Sequence, residues 1–116
     1  MRHLKKGRKF GRKINQRKSF LRNLLFELVM HERIVTTAAR AKAIAPLAEK
    51  LITKAKVGNI AARRLVASRL PKRASEKLFK VIAPRFTARQ GGYTRILKLG
   101  RRESDSSRQT IIEIVQ

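Results

Sequence analysis

Residues 34–56 read IVTTAARAKAIAPLAEKLITKAK, and the residue preferences change partway through that stretch. Ile34, Val35, Thr36 and Thr37 are all β-branched, the side chains that sit best on a pleated strand. Beyond them Ala41, Ile44, Ala45, Ala48, Leu51, Ile52 and Ala55 recur at helical spacing, which gives one apolar face. Thr37 stands at the join, where its hydroxyl can cap the first free N–H groups of the helix. Pro46 falls inside the pattern; it lacks an N–H and its ring crowds the preceding turn, so the spacing predicts a continuous but kinked helix to about Lys56. Gly58 is a stop signal and Asn59 the next N-cap. A strand that runs directly into a helix points to a mixed α and β domain.

Upstream, Phe20, Leu21, Leu24, Leu25, Leu28 and Val29 form an apolar stripe that predicts a helix over residues 15–32. Its first turns carry Arg17, Lys18 and Arg22. A positive N-terminal turn opposes the helix macrodipole, which favours carboxylates there, so these cations are placed for a partner at the expense of the helix. Downstream, a helix over 60–70 ends at Pro71, and another over 74–83, carrying Leu78, Phe79 and Ile82, stops at Pro84. Gly91-Gly92 breaks the chain, and 93–99 and 110–115 read as strands joined by a polar loop. The expected architecture is a small single α+β domain of one strand, three to four helices and a two-stranded hairpin, with the helices on one face of a three-stranded sheet. Residues 1–14 form a basic, extended N-terminal arm and 15–116 the globular domain.

Charge dominates the composition. Lys plus Arg number 30 against 7 Asp plus Glu, a formal charge of +23 on 116 residues. Solubility of a small domain needs a net charge of only about 2–8. Self-repulsion at this density weakens the free fold, and a polyanion relieves it. Nucleic acid is the first candidate and an anionic membrane the second. With 42% apolar residues the chain has enough side chains for a core. No cysteine is present, which excludes disulfides, thiolate metal sites and thiol nucleophiles. No apolar run approaches the roughly 18–20 residues of a membrane span.

The first ten cations all precede Glu27, the first carboxylate. Arg2, His3, Lys5, Lys6, Arg8, Lys9, Phe10, Arg12 and Lys13 mix guanidiniums with Gly7, Gly11 and one aromatic ring. Arginine forks suit phosphates and base edges, and glycines allow close backbone approach. With only Leu4 and Phe10 to bury, this arm cannot offset its own ordering entropy and is expected to be unfolded until a phosphate backbone orders it. Phe10 can stack on an unpaired base or dock against the domain. The arm is also Arg-rich and acid-poor like a transit peptide, but it lacks an amphipathic apolar face.

Three further groups belong with it. Arg63, Arg64 and Arg69, followed by Lys72, Arg73 and Lys77, form a basic helix surface that either meets phosphates or is simply solvated. Arg85, Arg89 and Arg95 bracket Gly91-Gly92 and Tyr93, where the glycines can make a phosphate nest with the ring as a stacking surface, or merely turn the chain while Tyr93 fills the edge of the core. Thr36 and Thr37 with Arg40 and Lys42 place hydroxyls and cations at a helix start, a natural anion site, although Thr37 as a plain cap is the simpler reading. His3 and His31 have no partners at metal-ligand spacing. The scattered carboxylates Glu27, Glu32, Glu49, Glu76, Glu103, Asp105 and Glu113 suit arginine partners better than acid–base catalysis. No phosphate loop, nucleophile elbow or triad pattern is present, so neither an enzyme nor a cofactor site is expected.

Taken in order, these stretches resemble one family. The opening Met1-Arg2-His3 through Lys9 and Arg12, the run Ile34-Val35-Thr36-Thr37, then Arg40-Ala41-Lys42 and Pro46-Leu47-Ala48-Glu49-Lys50-Leu51-Ile52-Thr53 are similar to the bacterial large-subunit ribosomal protein L17 family. Ala83-Pro84-Arg85-Phe86, Arg89, Gly91-Gly92-Tyr93-Thr94-Arg95-Ile96 and Ile111-Ile112-Glu113-Ile114-Val115 continue the likeness to the end of the chain. The resemblance implies a small mixed sheet with several helices and a structural, cytoplasmic protein of the large ribosomal subunit. It implies binding to large-subunit (23S) ribosomal RNA near the polypeptide exit tunnel, neighbouring large-subunit proteins as partners, and a part in subunit assembly and translation. It implies no membrane insertion and no small-molecule substrate. The residues by themselves leave two other readings: a nonspecific DNA-compacting protein and a membrane-surface protein.

Overall fold

A computed structural model describes residues 3–116, so the expectation for Arg2 lies outside the described residues. The element order is α1 (Ile14–His31), β1 (Arg33–Thr37), α2 (Ala38–Val57), α3 (Ile60–Arg69), α4 (Lys72–Lys77), β2 (Thr94–Arg101) and β3 (Arg108–Ile114). The α+β expectation, the single leading strand and the closing hairpin are all present.

Thr37, Gly58 and Asn59 make the joins that sequence chemistry assigns to them, while α1 is bounded by Lys13 and Glu32, which it does not single out. The Lys13 N–H donates to Gln16 Oε1 at 3.4 Å at the start of α1. Helix α1 ends where Glu32 enters the left-handed region at φ 61° and its N–H bonds back to Leu28 O at 2.7 Å. Thr37 Oγ1 accepts from the Arg40 N–H at 3.5 Å, and Asn59 Oδ1 accepts from the Ala62 N–H at 2.7 Å. Gly58 closes α2 at φ 71°, a left-handed C-cap of the kind glycine adopts without a Cβ clash. Helix α2 passes through Pro46 unbroken.

Pro84 does not stop the fourth helix. Beyond Lys77 the chain continues through a π-helical turn, Leu78–Ile82, into one last helical turn, Ala83–Arg85. In the wider turn the Ala83 N–H bonds to the Leu78 carbonyl five residues back. That extra residue opens the space where a proline ring would otherwise strike the preceding turn. The helix also begins earlier than expected, at Lys72, directly after Pro71.

The sheet is antiparallel throughout, which corrects the mixed sheet that the family resemblance implies. Strand β3 lies in the middle, antiparallel to both neighbours in the order β1-β3-β2. The two outer strands run in the same direction but never touch, so no parallel ladder forms. Ile34, Ile112 and Ile96 face one another across the three strands on the helix side.

The core joins this face to the helices. Leu25, Leu28 and Val29 of α1, Ile44, Leu51 and Ile52 of α2, Val66 of α3, and Leu78, Ile82 and Phe86 bury against Ile112 and Ile114. All of the predicted α2 stripe is buried except Ala45, which is half-buried. In α1 the stripe holds from Leu21 onward, but Phe20 is not part of the core. It faces the arm instead.

Candidate nucleic-acid interface

Phe20 is the meeting point of three segments. The Arg12 guanidinium lies over its ring at 4.0 Å from the centroid, that of Arg40 at 5.0 Å, and the Phe10 ring packs against it at 5.2 Å with the planes tilted by 60°. The arm therefore turns back on the domain rather than running straight: Leu4, Gly7, Phe10 and Gly11 all adopt positive φ. Of the two roles open to Phe10, the structure shows docking against the domain.

Two clefts flank α1, and both are rimmed by cations. One, of about 750 Å³, lies between the arm and the domain and is lined by Lys5, Lys6, Arg8, Lys9, Phe10, Arg17 and Lys42, with Leu21, Ala43, Pro46 and Leu47 as its apolar wall. The other, of about 1020 Å³, has Lys18, Arg22, Lys50, Lys54 and Arg69 on its rim and Leu21, Leu25, Pro46, Leu47, Leu51 and Leu65 on its floor. Leu21, Pro46 and Leu47 line both, so the two clefts share a wall. Glu49 is the lone carboxylate among the lining residues, and its Oε1 accepts from Thr94 Oγ1 at 3.1 Å. Lys50 and Lys54 are additions to the predicted set. Their four-residue spacing just after Pro46-Leu47 is the signal that would have put them on the face of Lys18 and Arg22.

Other predicted residues have different surroundings. Tyr93 is buried at 2% exposure, its ring 4.9 Å from that of Phe86. Its hydroxyl donates to Arg89 O at 3.3 Å and accepts from Lys56 Nζ at 3.0 Å. Lys56 also donates to Arg89 O, and its ammonium lowers the phenol pKa chiefly through the hydrogen bond to the hydroxyl. Tyr93 thus fills the edge of the core and presents no open face for a base. Gly91 and Gly92, at φ 83° and 62°, turn the chain beside it, with Arg89 Nε donating to Gly91 O at 3.2 Å.

Arg85 is committed to Glu32, and Arg95 donates through Nε to Glu113 Oε1 at 2.8 Å. Thr36 lies within the sheet, where its carbonyl accepts from Thr110 Oγ1 at 3.4 Å, and Thr37 acts as the helix cap. Arg63 covers the Phe79 ring at 5.0 Å, while Arg64, Lys72 and Arg73 are exposed. His3 and Lys13 are exposed as well. Among the described residues, no group of three or more His, Cys, Asp or Glu could hold a metal ion, and no helix is long and apolar enough to cross a membrane.

The family model described as Ribosomal protein L17 matches residues 20–115. The chain belongs to the ribosomal protein L17 family. Curated relatives named "Large ribosomal subunit protein bL17" align over nearly all of it. The one from Thermomicrobium roseum is 50% identical, covering 99% of this chain and 99% of that protein. The one from Thermodesulfovibrio yellowstonii is 51% identical, covering 99% and 87% respectively, and the one from Pelobacter propionicus 47%, covering 100% and 92%. Within this L17-family chain, the family match opens at Phe20, the residue that receives the arm. The relatives align across the arm too, so the basic segment lies within the aligned length.

Proposed function

We propose that the chain is a structural, non-enzymatic component of the large ribosomal subunit that binds large-subunit ribosomal RNA through the arm, the N-terminal half of α1 and the middle of α2. The observation that supports it best is the pair of cation-rimmed clefts with a common apolar wall. Lys5, Lys6, Arg8, Lys9, Arg17 and Lys42 line one, and Lys18, Arg22, Lys50, Lys54 and Arg69 the other. A surface so poor in carboxylates repels itself, and a phosphate backbone is the partner that relieves it. Arg12 and Arg40 extend the same surface across Phe20.

The mechanism follows from the charge and shape of the interface. Phosphate contacts set affinity and register, with Arg63, Arg64, Arg89, Lys13, His3 and Arg2 as additional contacts beyond the two clefts. A-form RNA has a major groove too narrow for side chains, so selectivity comes from RNA shape and unstacked bases. The apolar wall formed by Leu21, Pro46 and Leu47 can receive a splayed base or ribose between the two cation rows. Arg85, Arg95, Tyr93, Thr36 and Thr37 support the fold behind this surface. A location in the cytoplasm near the polypeptide exit tunnel, contact with neighbouring large-subunit proteins, and a part in assembly and translation accompany this reading through the family resemblance.

Competition tests it against nonspecific DNA compaction. With the chain bound to labelled large-subunit RNA, unlabelled large-subunit RNA is expected to displace it at concentrations where duplex DNA does not. Equal displacement by duplex DNA would contradict the proposal.

A further inference from the structure

We propose that Phe20 seats a two-guanidinium phosphate site, made of Arg12 from the arm and Arg40 from α2, and that in doing so it latches the arm to the domain before RNA arrives. This rests on the RNA-binding reading above and names the residue that builds one of its contacts.

Phe20 occupies a core position by spacing, yet it lies outside the core. Its ring is used for something else. The π system of an aromatic ring attracts cations, and two guanidinium groups lie 4.0 and 5.0 Å from the Phe20 centroid. Two like charges on one ring repel each other. None of the ion pairs among the described residues joins either guanidinium to a carboxylate. The pair is therefore short of negative charge, and a phosphodiester, with one negative charge shared over its two non-bridging oxygens, is the anion that planar guanidinium forks bind best.

The arm side of the site is independently fixed. Arg12 Nη1 donates to Phe10 O at 2.9 Å, the Arg12 N–H donates to Lys9 O at 3.2 Å, and Arg17 Nη1 donates to Arg12 O at 3.5 Å. Phe10 itself has φ 54°, a region that a bulky side chain keeps only where its surroundings hold it there. What holds it is the Phe20 ring at 5.2 Å. A latched arm has already lost much of its freedom, so less ordering remains to oppose RNA binding. On this proposal the arm is held before RNA arrives, whereas its composition alone leads to the expectation that RNA orders it.

The test compares wild type, Phe20→Leu, which keeps apolar volume but removes the π face, and Phe20→Tyr, which keeps the face. Each is measured for thermal unfolding, for trypsin cleavage after Arg12 and Lys13 in the free chain, and for binding to large-subunit RNA over a salt series. Phe20→Leu is expected to melt with the wild type, to be cleaved faster, and to bind about tenfold more weakly through loss of two cation–π contacts. Its salt slope should fall by about 1 unit as that phosphate contact is lost. Phe20→Tyr should restore all three readouts. Wild-type affinity, slope and cleavage in Phe20→Leu would overturn the inference while leaving RNA binding intact. A wild-type chain that ignores the RNA would overturn the function itself, and the phosphate site with it.

Discussion

Arg85 reaches back 53 positions in sequence to Glu32, and its two terminal nitrogens donate to the two carboxylate oxygens at 2.6 and 2.8 Å. Lys77 lies 3.3 Å from the same carboxylate and donates to Met30 O at 2.6 Å. Glu32 is the left-handed residue between α1 and β1, and its carbonyl accepts from the Ile114 N–H at 2.8 Å. One carboxylate thus ties the end of the helical segment to the start of the sheet. The hydrogen bond from Arg85 is the largest influence holding the Glu32 pKa below its ordinary value, with Lys77 adding to it and partial burial opposing.

The stability this pair contributes has a defined pH window. A carboxyl whose folded pKa is depressed stabilises fully above its unfolded value, here the ordinary 4.5, and the contribution is lost as pH falls through the lower folded value. Glu32→Gln is expected to cost about 1–2 kcal/mol at neutral pH, leaving two cations without their shared partner. For a domain of this size that lowers Tm by about 5 °C. Thermal melts across a pH series check it. The gap between wild type and variant should close on acidification below 4.5. A gap that persists there would show that the carboxylate charge is not its source.

Arg85→Gln should lower Tm by a similar amount while leaving RNA affinity within about twofold, because the guanidinium is spent on Glu32 and a lost phosphate contact would cost more. Titration of large-subunit RNA with the two proteins decides the point. A large loss of affinity without a change in Tm would make Arg85 an RNA ligand.

Removing residues 1–12 is expected to leave the thermal transition nearly unchanged, since among the described residues the core draws on nothing before Leu21. RNA affinity should fall at the same time, with a shallower salt slope from the lost cations. Melting and binding of the truncated chain measure both. A collapse of the transition would make the arm part of the fold.

Lys50→Gln with Lys54→Gln removes two rim cations that no hydrogen bond or ion pair among the described residues uses. The double variant should reduce the salt slope by about 1.5–2 units without changing Tm. An unchanged slope would remove the second cleft from the interface.

What was legible in the sequence was what local chemistry controls. Helix α2 was readable at both ends because Thr37 and Gly58 carry the capping hydroxyl and the left-handed turn themselves, and its stripe was readable because Ile44, Leu51 and Ile52 all face one core. Pro84 misled because the remedy for a proline, a π turn, leaves no mark in the sequence. The central place of β3 is hidden because the pairing of Ile34 with Ile112 is long-range. The basic surface could be foreseen as a composition, but not its division of labour: Arg85 and Arg95 resemble Arg12 and Arg40 until their carboxylate partners are brought near by the fold. Phe20 was the hardest, since its spacing matches the core stripe and only tertiary structure sets two arginines over its ring.

The central claim is that surplus cations on the arm, α1 and α2 meet RNA phosphates, and the salt dependence of binding tests it most directly. With roughly 6–10 phosphates neutralised, the affinity of the full chain for large-subunit RNA should fall by about 10³–10⁵ between about 50 and about 200 mM salt, the duplex-DNA slope serving as an upper guide. A binding constant that stays flat across that range would contradict the account.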